Sequence, residues 1–263
     1  MRILFVADVF GAAGRRAVAK LLPELRGRLA PDFCVANCEN LAAGFGFTQA
    51  LAEELLGAGI DVLTGGNHSW DRREAVGALA ENERILRPEN YPPGVPGRGA
   101  GVFPARGGGK VAVLNLMGRV FLDALDCPFR AADESIPGLR EETPVILVDM
   151  HAEATSEKIA MGRYLDGRVS AVIGTHTHVQ TADETVLAGG TAYLTDAGMT
   201  GPHDSVIGVK TDLILKRFLL KTPVRFEAAE GDPRLSGALV EVDPASGRAL
   251  RIERIQERMP DTG

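Results

Sequence analysis

No run of apolar residues in the chain approaches the roughly 18 needed to cross a bilayer, so no membrane span is expected. The chain opens directly on the strand-like RILFVADVF, without a basic segment and a long apolar core, so no secretion signal is expected. Cysteine is scarce. Cys34, Cys38 and Cys127 cannot all pair, no CxxC motif occurs, and Cys34 and Cys38 lie inside a hydrophobic run. They read as buried thiols in a reducing compartment, which makes the cytoplasm the expected location. Positive charge is also in deficit. Against 35 Asp and Glu stand 29 Lys and Arg, for a net charge of −6. That argues against an extended nucleic-acid surface and leaves RNA without support as a partner. A small phosphate substrate remains open, because metal ions supply local positive charge in an acidic protein.

Two nucleotide-binding signatures are missing as well. Gly11-Ala12-Ala13-Gly14 lacks the GxGxxG spacing, and Arg106-Gly107-Gly108-Gly109-Lys110 lacks the Ser or Thr and the helix of a P-loop. No segment has linker composition and no long repeat is visible, so residues 1–263 read as one domain with an ample core. Oligomeric state is left open, a homo-oligomer included.

What is there is an alternation of strands and helices. RILFVADVF, FCVANCEN, DVLTGGNH, KVAVLNLMG, PVILVDMHA and SAVIGTHTH read as strands of the kind buried on both faces. RRAVAKLLPELRGRL, with Pro23 expected to bend or restart it, TQALAEELLGAG, SWDRREAVGALAEN, TSEKIAMGRYLDG and VKTDLILKRFLLKT read as helices. Residues 85–109 read as loops with short strands, and the stretch from Arg119 to Thr143 reads as irregular. TVLAGGTAYLTDAG reads as two strands around a Gly-Gly turn, and the ending GALVEVD-PASG-RALRIERI reads as a hairpin. The expected class is α/β with mixed sheets, two of them packed face to face with helices outside.

Metal-competent residues gather where these strands end. Four of the five histidines do so: His68 in Gly66-Asn67-His68, His151 after VILVDM, and His176 and His178 in Gly174-Thr175-His176-Thr177-His178. Asp8 ends the first strand and Glu39-Asn40 follows the second. Imidazole binds transition metals and moves protons near neutral pH. His176 and His178 close the strand SAVIGTHTH, and their spacing of two turns both imidazoles to one side. Singly, each motif has a bland reading as a cap, a turn or a hydrogen-bonded histidine. Five strand ends together point to a two-metal hydrolase. Asp149, two before His151, is either an imidazole-orienting partner or a surface acid. His203 reads as loop, and Trp70 as either packing or substrate stacking.

The order Asp, acid-Asn, Gly-Asn-His, His, Gly-x-His-x-His resembles the calcineurin-like metallophosphoesterase superfamily. ILFVADVFG, NCEN, GGNHSWD and GTHTHVQTAD are similar to its bacterial YmdB-like phosphodiesterase branch. That resemblance implies a four-layer αββα sandwich and a centre of two iron or manganese ions, with zinc also compatible with the ligands. It implies that Asp8, Glu39, Asn40 and His178 hold one ion. Glu39 would bridge to a second ion held by Asn67, His151 and His176, and His68 would be the general acid. Its activity would be hydrolysis of phosphodiesters, cyclic nucleotides with 2′,3′ or 3′,5′ linkage among them. Two such cations about 3.5–4 Å apart would acidify a bridging water to hydroxide, which attacks phosphorus. The superfamily's first motif is usually Asp-x-His; here Phe10 stands at the histidine position and cannot ligate, and Glu39 replaces an aspartate. Two other readings are weighed: a metal-bound regulatory protein that holds a phosphorylated ligand with little turnover, and a metal-dependent amide or ester hydrolase.

Overall fold

The computed structural model describes residues 1–260. Two mixed sheets stack face to face. The first is built on β1 (Arg2–Val6), β3 (Phe33–Asn37) and β4 (Val62–Thr64), which run parallel, as buried apolar runs joined by helices do. Its other side continues through β12 (Pro233–Val242), antiparallel to β1, to β11 (Met199–Pro202) and the two-residue β2 (Asp8–Val9). The last strand, β13 (Ala249–Arg258), returns along β12 as the expected hairpin.

The second sheet runs β5 (Ala100–Pro104), β6 (Lys110–Met117), β7 (Ile146–His151), β8 (Ala171–Thr175), β10 (Ala192–Leu194), β9 (Thr185–Val186). β6, β7, β8 and β10 are parallel, and β9 and β10 form the pair expected around Gly189-Gly190.

Strand alternation divides the core into three. Ile3, Phe5 and Val35 meet Val113, Leu147 and Ile173 between the sheets. Leu4, Val6 and Cys34 point the other way, against α1 (Gly11–Leu29), α2 (Gln49–Ala58) and α3 (Arg73–Glu81). Leu114, Ile146 and Val148 cover the far face with α4 (Pro128–Glu142) and α5 (Thr155–Tyr164). The layers are therefore helix, sheet, sheet, helix. A sixth helix, α6 (Thr211–Leu220), lies outside this stack and buries Ile214 against Phe10, Met199 and Val209.

One expectation fails. The stretch from Arg119 to Thr143 is not irregular throughout, because fifteen of its residues form α4. Pro128 sits in the first turn, where its fixed φ suits a helix and its missing N–H costs nothing. Pro137 and Gly138 then interrupt the apolar period, yet Ala132, Ile136 and Leu139 still bury one stripe on the sheet. Tertiary burial overrides the local breakers here. α1 likewise runs through Pro23. Among the described residues, no helix is long and apolar enough to cross a membrane.

Candidate metal centre

The parallel strands of both sheets end at one rim, and the two rims face each other. From the first sheet come Asp8 on β2, Glu39 and Asn40 just past β3, and Asn67 and His68 just past β4. From the second come His151, the last residue of β7, and His176 and His178 just past β8. All eight residues singled out in the sequence meet here. Oxygen donors come from one sheet and ring nitrogens from the other, apart from His68.

Two groups of atoms converge. In the first, Nε2 of His151 lies 2.9 Å from Oδ1 of Asn67, 3.2 Å from Oε1 of Glu39 and 3.1 Å from Nδ1 of His176. In the second, Nε2 of His178 lies 3.3 Å from Oδ2 of Asp8 and 3.3 Å from Oδ1 of Asn40. Outer contacts aim these atoms inward. Thr175 gives its hydroxyl proton to Asp149 (2.7 Å), so its oxygen accepts from Nδ1 of His151 (2.9 Å) and turns Nε2 toward the centre. Nδ1 of His178 donates to the Ile207 carbonyl (2.9 Å), and the Asn40 amide to the Gly44 carbonyl (2.9 Å). Asp149 is thus a buried acid acting through Thr175, rather than a surface group.

This donor set fits a cation. Carboxylate oxygens, amide oxygens and imidazole nitrogens converge with too few protons to link them. Oδ1 of Asp8 is buried and has no hydrogen-bond partner. A buried orphan acceptor is costly unless something positive completes it. Glu39, His151 and His176 form a cluster whose ligand atoms all lie within 4.8 Å. Gly66 leaves the room: a Cβ there would sit 2.3 Å from both Oε2 of Glu39 and Nε2 of His151.

Electrostatics within the centre follow from that crowding. Burial resists ionisation of Asp8 and of Glu39, yet His178 holds the Asp8 carboxyl below its ordinary range and His151 does the same for Glu39. Burial disfavours a charged His151, but Glu39 and Asp8 outweigh it and push the imidazole up to about 9. Burial and the neighbouring His151 push His176 down to about 3. A proton on His151 stands where positive charge is needed, and a cation entering there would expel it.

The turn carrying His176 and His178 corrects a second expectation. The two are not strand residues facing one side, because β8 ends at Thr175 and their φ values are 101° and 64°. They diverge, one ring into each group. Between them Thr177 donates its amide (3.0 Å) and hydroxyl (2.7 Å) to Oδ2 of Asp196, itself paired with the buried Lys158 at 2.7 Å. Gly174 is required for this fit, since a Cβ would lie 1.8 Å from the Thr195 carbonyl and 2.9 Å from the Lys158 stem.

His68 stands at the mouth. Its amide donates to Oε2 of Glu39 (2.9 Å), Nδ1 pairs with Oδ2 of Asp71 (2.7 Å), and the ring meets Phe45 edge-on. Asp71, Asp196, Lys158 and Glu153, whose carboxylate reaches Nε2 of His176 at 3.0 Å, are site residues that motif reading missed. Only Asp71 carried a sequence signal, three residues after His68. Phe10 packs edge-on against His178, in the place of the absent histidine. Trp70 packs against Tyr91 and the core between the first sheet and its helices, and His203 bonds the Met199 carbonyl away from the centre.

A family model described as YmdB-like protein matches residues 4–255. The chain belongs to the YmdB-like family. It is 48% identical over 255 residues to a 2′,3′-cyclic-nucleotide 2′-phosphodiesterase of Bacillus subtilis (strain 168), covering 97% of this chain and 96% of that relative. A crystal structure of a hypothetical protein from Thermus thermophilus superposes with a TM-score of 0.92 at 45% identity, over 99% of this chain and 100% of the other. A crystal structure described as a novel phosphatase from Mycoplasma pneumoniae gives a TM-score of 0.92 at 31% identity, over 100% and 95%. The YmdB-like fold is thus shared along the chain, and the strand-end residues sit at its sheet rims.

Proposed function

We propose that this YmdB-like chain, working as one unit over residues 1–263, is a metal-dependent phosphodiesterase acting on small cyclic nucleotides, those with a 2′,3′ linkage first among them. The observation that carries the reading is the pair of convergent ligand groups with an orphaned Asp8 oxygen between the sheets. The substrate class is supported by the activity for which the Bacillus subtilis relative is named. The three free thiols suit a cytoplasmic, reducing setting.

Two ions would be held, one by Asp8, Glu39, Asn40 and His178, the other by Glu39, Asn67, His151 and His176. Iron or manganese suits this mixed nitrogen and oxygen set best, and zinc is compatible. Bound there, the ions would supply Lewis acidity at the phosphoryl oxygens and would lower the pKa of a water toward neutrality. The chain's own residues do the rest. Asp149 through Thr175, and the Ile207 carbonyl, fix the faces that His151 and His178 present. Asp71 holds Nδ1 of His68, which leaves Nε2 to give a proton to the departing alkoxide. Phe45, edge-on against that ring, restricts its orientation.

Elemental analysis of purified protein, paired with a panel of phosphodiesters and phosphomonoesters, tests the reading. Two ions per chain and faster cleavage of diesters are expected. A monoester preference of tenfold or more in kcat/KM, or tight ligand binding with no turnover of either class, overturns it; the second outcome restores the regulatory reading.

A further inference from the structure

A cavity of about 300 Å³ opens from the candidate metal centre, and its lining is of two kinds. Glu39, Asn40, His68, Glu153, His176, Thr177 and His178 give its lining polar groups; Phe10, Phe45, Ile207, Val209, Ile214 and Phe226 make the apolar part. No Lys or Arg lines it among the described residues. Small-molecule sites have this make-up, with a mostly apolar lining and a few placed polar groups.

The apolar side is held in place by its backbone. Val206 and Val209 exchange backbone hydrogen bonds of 2.9 and 3.0 Å, so Ile207 and Gly208 are the centre of a two-residue turn. Both have positive φ, 47° and 102°. Such turns take Asn, Asp or Gly at the first central position, and a β-branched residue there is a genuine outlier. Yet the isoleucine is 51% exposed and lines the cavity, so no core packing explains the choice. Its carbonyl, meanwhile, is the acceptor for Nδ1 of His178. Across the cavity, Gly44 and Gly208 both close on the ring of Phe10, where added Cβ atoms would fall at 2.4 and 2.7 Å. Phe10 therefore fixes the spacing of the Phe45 loop and the Ile207 turn. Where the superfamily pattern has a ligand, this chain has a spacer for its apolar wall.

Resting on the phosphodiesterase reading, we propose that Phe45, Ile207 and Phe226 form the seat of the substrate's nucleobase, and that this seat together with the missing cationic side chains selects a nucleoside carrying one singly charged phosphodiester. A planar base gains by stacking on aromatic and apolar faces without needing a hydrogen-bond code. Positive charge comes only from the metal centre, so further phosphates of an oligonucleotide meet no cationic side chain in the cavity. Ile207 links the two functions: its side chain meets the base while its carbonyl sets the face of His178.

The test compares adenosine 2′,3′-cyclic phosphate, ribose 2′,3′-cyclic phosphate and a short oligoribonucleotide on Mn²⁺-loaded wild type, Phe226→Ala and Ile207→Gly. Ile207→Gly keeps the carbonyl and suits the positive φ, so it reports the side chain even if Phe226→Ala folds poorly. Wild type is expected to prefer the base-bearing cyclic substrate over the baseless one by about tenfold to a hundredfold, the worth of one stacked base. The preference lies in KM, and the oligoribonucleotide is the poorest substrate. Both variants are expected to erase most of that preference. Equal handling of the two cyclic substrates by wild type, or equal losses on both in the variants, overturns the base seat. So does preferred cleavage of the oligoribonucleotide. If wild type cleaves no diester, the phosphodiesterase reading fails on its own. The seat is then judged by saturation-transfer NMR with adenosine, where contact of the base protons that Ile207→Gly abolishes supports it and no contact sinks it.

Discussion

Thr177 binds Asp196 twice, through its amide and through its hydroxyl, and this double contact fixes the turn that parts His176 from His178. Behind it, Lys158 and Asp196 form an ion pair with side chains 0% and 1% exposed. The pair sits 38 residues apart in sequence and touches no substrate cavity, so its work is to hold two neighbouring histidines in different directions.

Lys158→Met is expected to destabilise the fold by about 3–5 kcal/mol, because it leaves a buried carboxylate without its partner. Urea unfolding monitored by circular dichroism measures this. Thr177→Val is milder, about 1.5–3 kcal/mol for one hydrogen bond to a charged group. It is expected to keep the native spectrum while lowering metal occupancy by elemental analysis. Full occupancy in a folded Thr177→Val protein argues that the turn holds its shape without Asp196.

Glu39→Gln removes the charge that two cations would share. Metal content is expected to fall from two ions to one or none, with activity falling in step. One ion in the wild type, or unchanged occupancy in the variant, contradicts the bridging assignment.

Removing His68 separates leaving-group chemistry from metal binding. His68→Ala is expected to retain its metals and lose about 10²–10⁴ in kcat with an alkoxide leaving group. The loss with nitrophenolate, which departs without a proton, is expected to be much smaller. Asp71→Asn is expected to show the same substrate dependence to a lesser degree, since Asp71 acts only through Nδ1. Equal losses on both substrates place His68 at the phosphoryl group instead. Loss of metal makes it a ligand.

Thiol titration reports the core. Burial pushes Cys34 up to about 11 and raises Cys38 as well, so neither is expected to react with a disulfide reagent at pH 8 while folded. Cys127, half-buried at the N-terminal end of α4, is expected to react. One fast thiol per chain becomes three in denaturant. Two or more fast thiols in the native protein contradict the packing of β3.

Much of the candidate site is legible in the sequence because metal chemistry is choosy about side chains and the ends of parallel strands share one rim. Asp8, Glu39 and His151 can be picked out without knowing what lies beside them. Lys158 and Asp196 cannot, because a buried ion pair has no periodic signature and its members come from α5 and the segment after β10. His176 and His178 reach the right neighbourhood on a wrong premise. Their spacing of two describes a strand, while their backbone has already left it. In the fold, Pro137 and Gly138 hide α4 for the same kind of reason: local breakers are visible in sequence and the sheet face that overrules them is not.

The division of donors between the sheets reaches beyond catalysis. In the proposed centre, residues before position 70 would supply the oxygens and residues after position 150 the ring nitrogens, with the exposed turn at 106–110 between them. A chain nicked at Gly108 would carry half a coordination sphere on each fragment, and neither fragment could capture two ions by itself. Metal uptake would therefore serve as a reassembly gauge, silent for separated pieces and restored only when the two rims meet again in register.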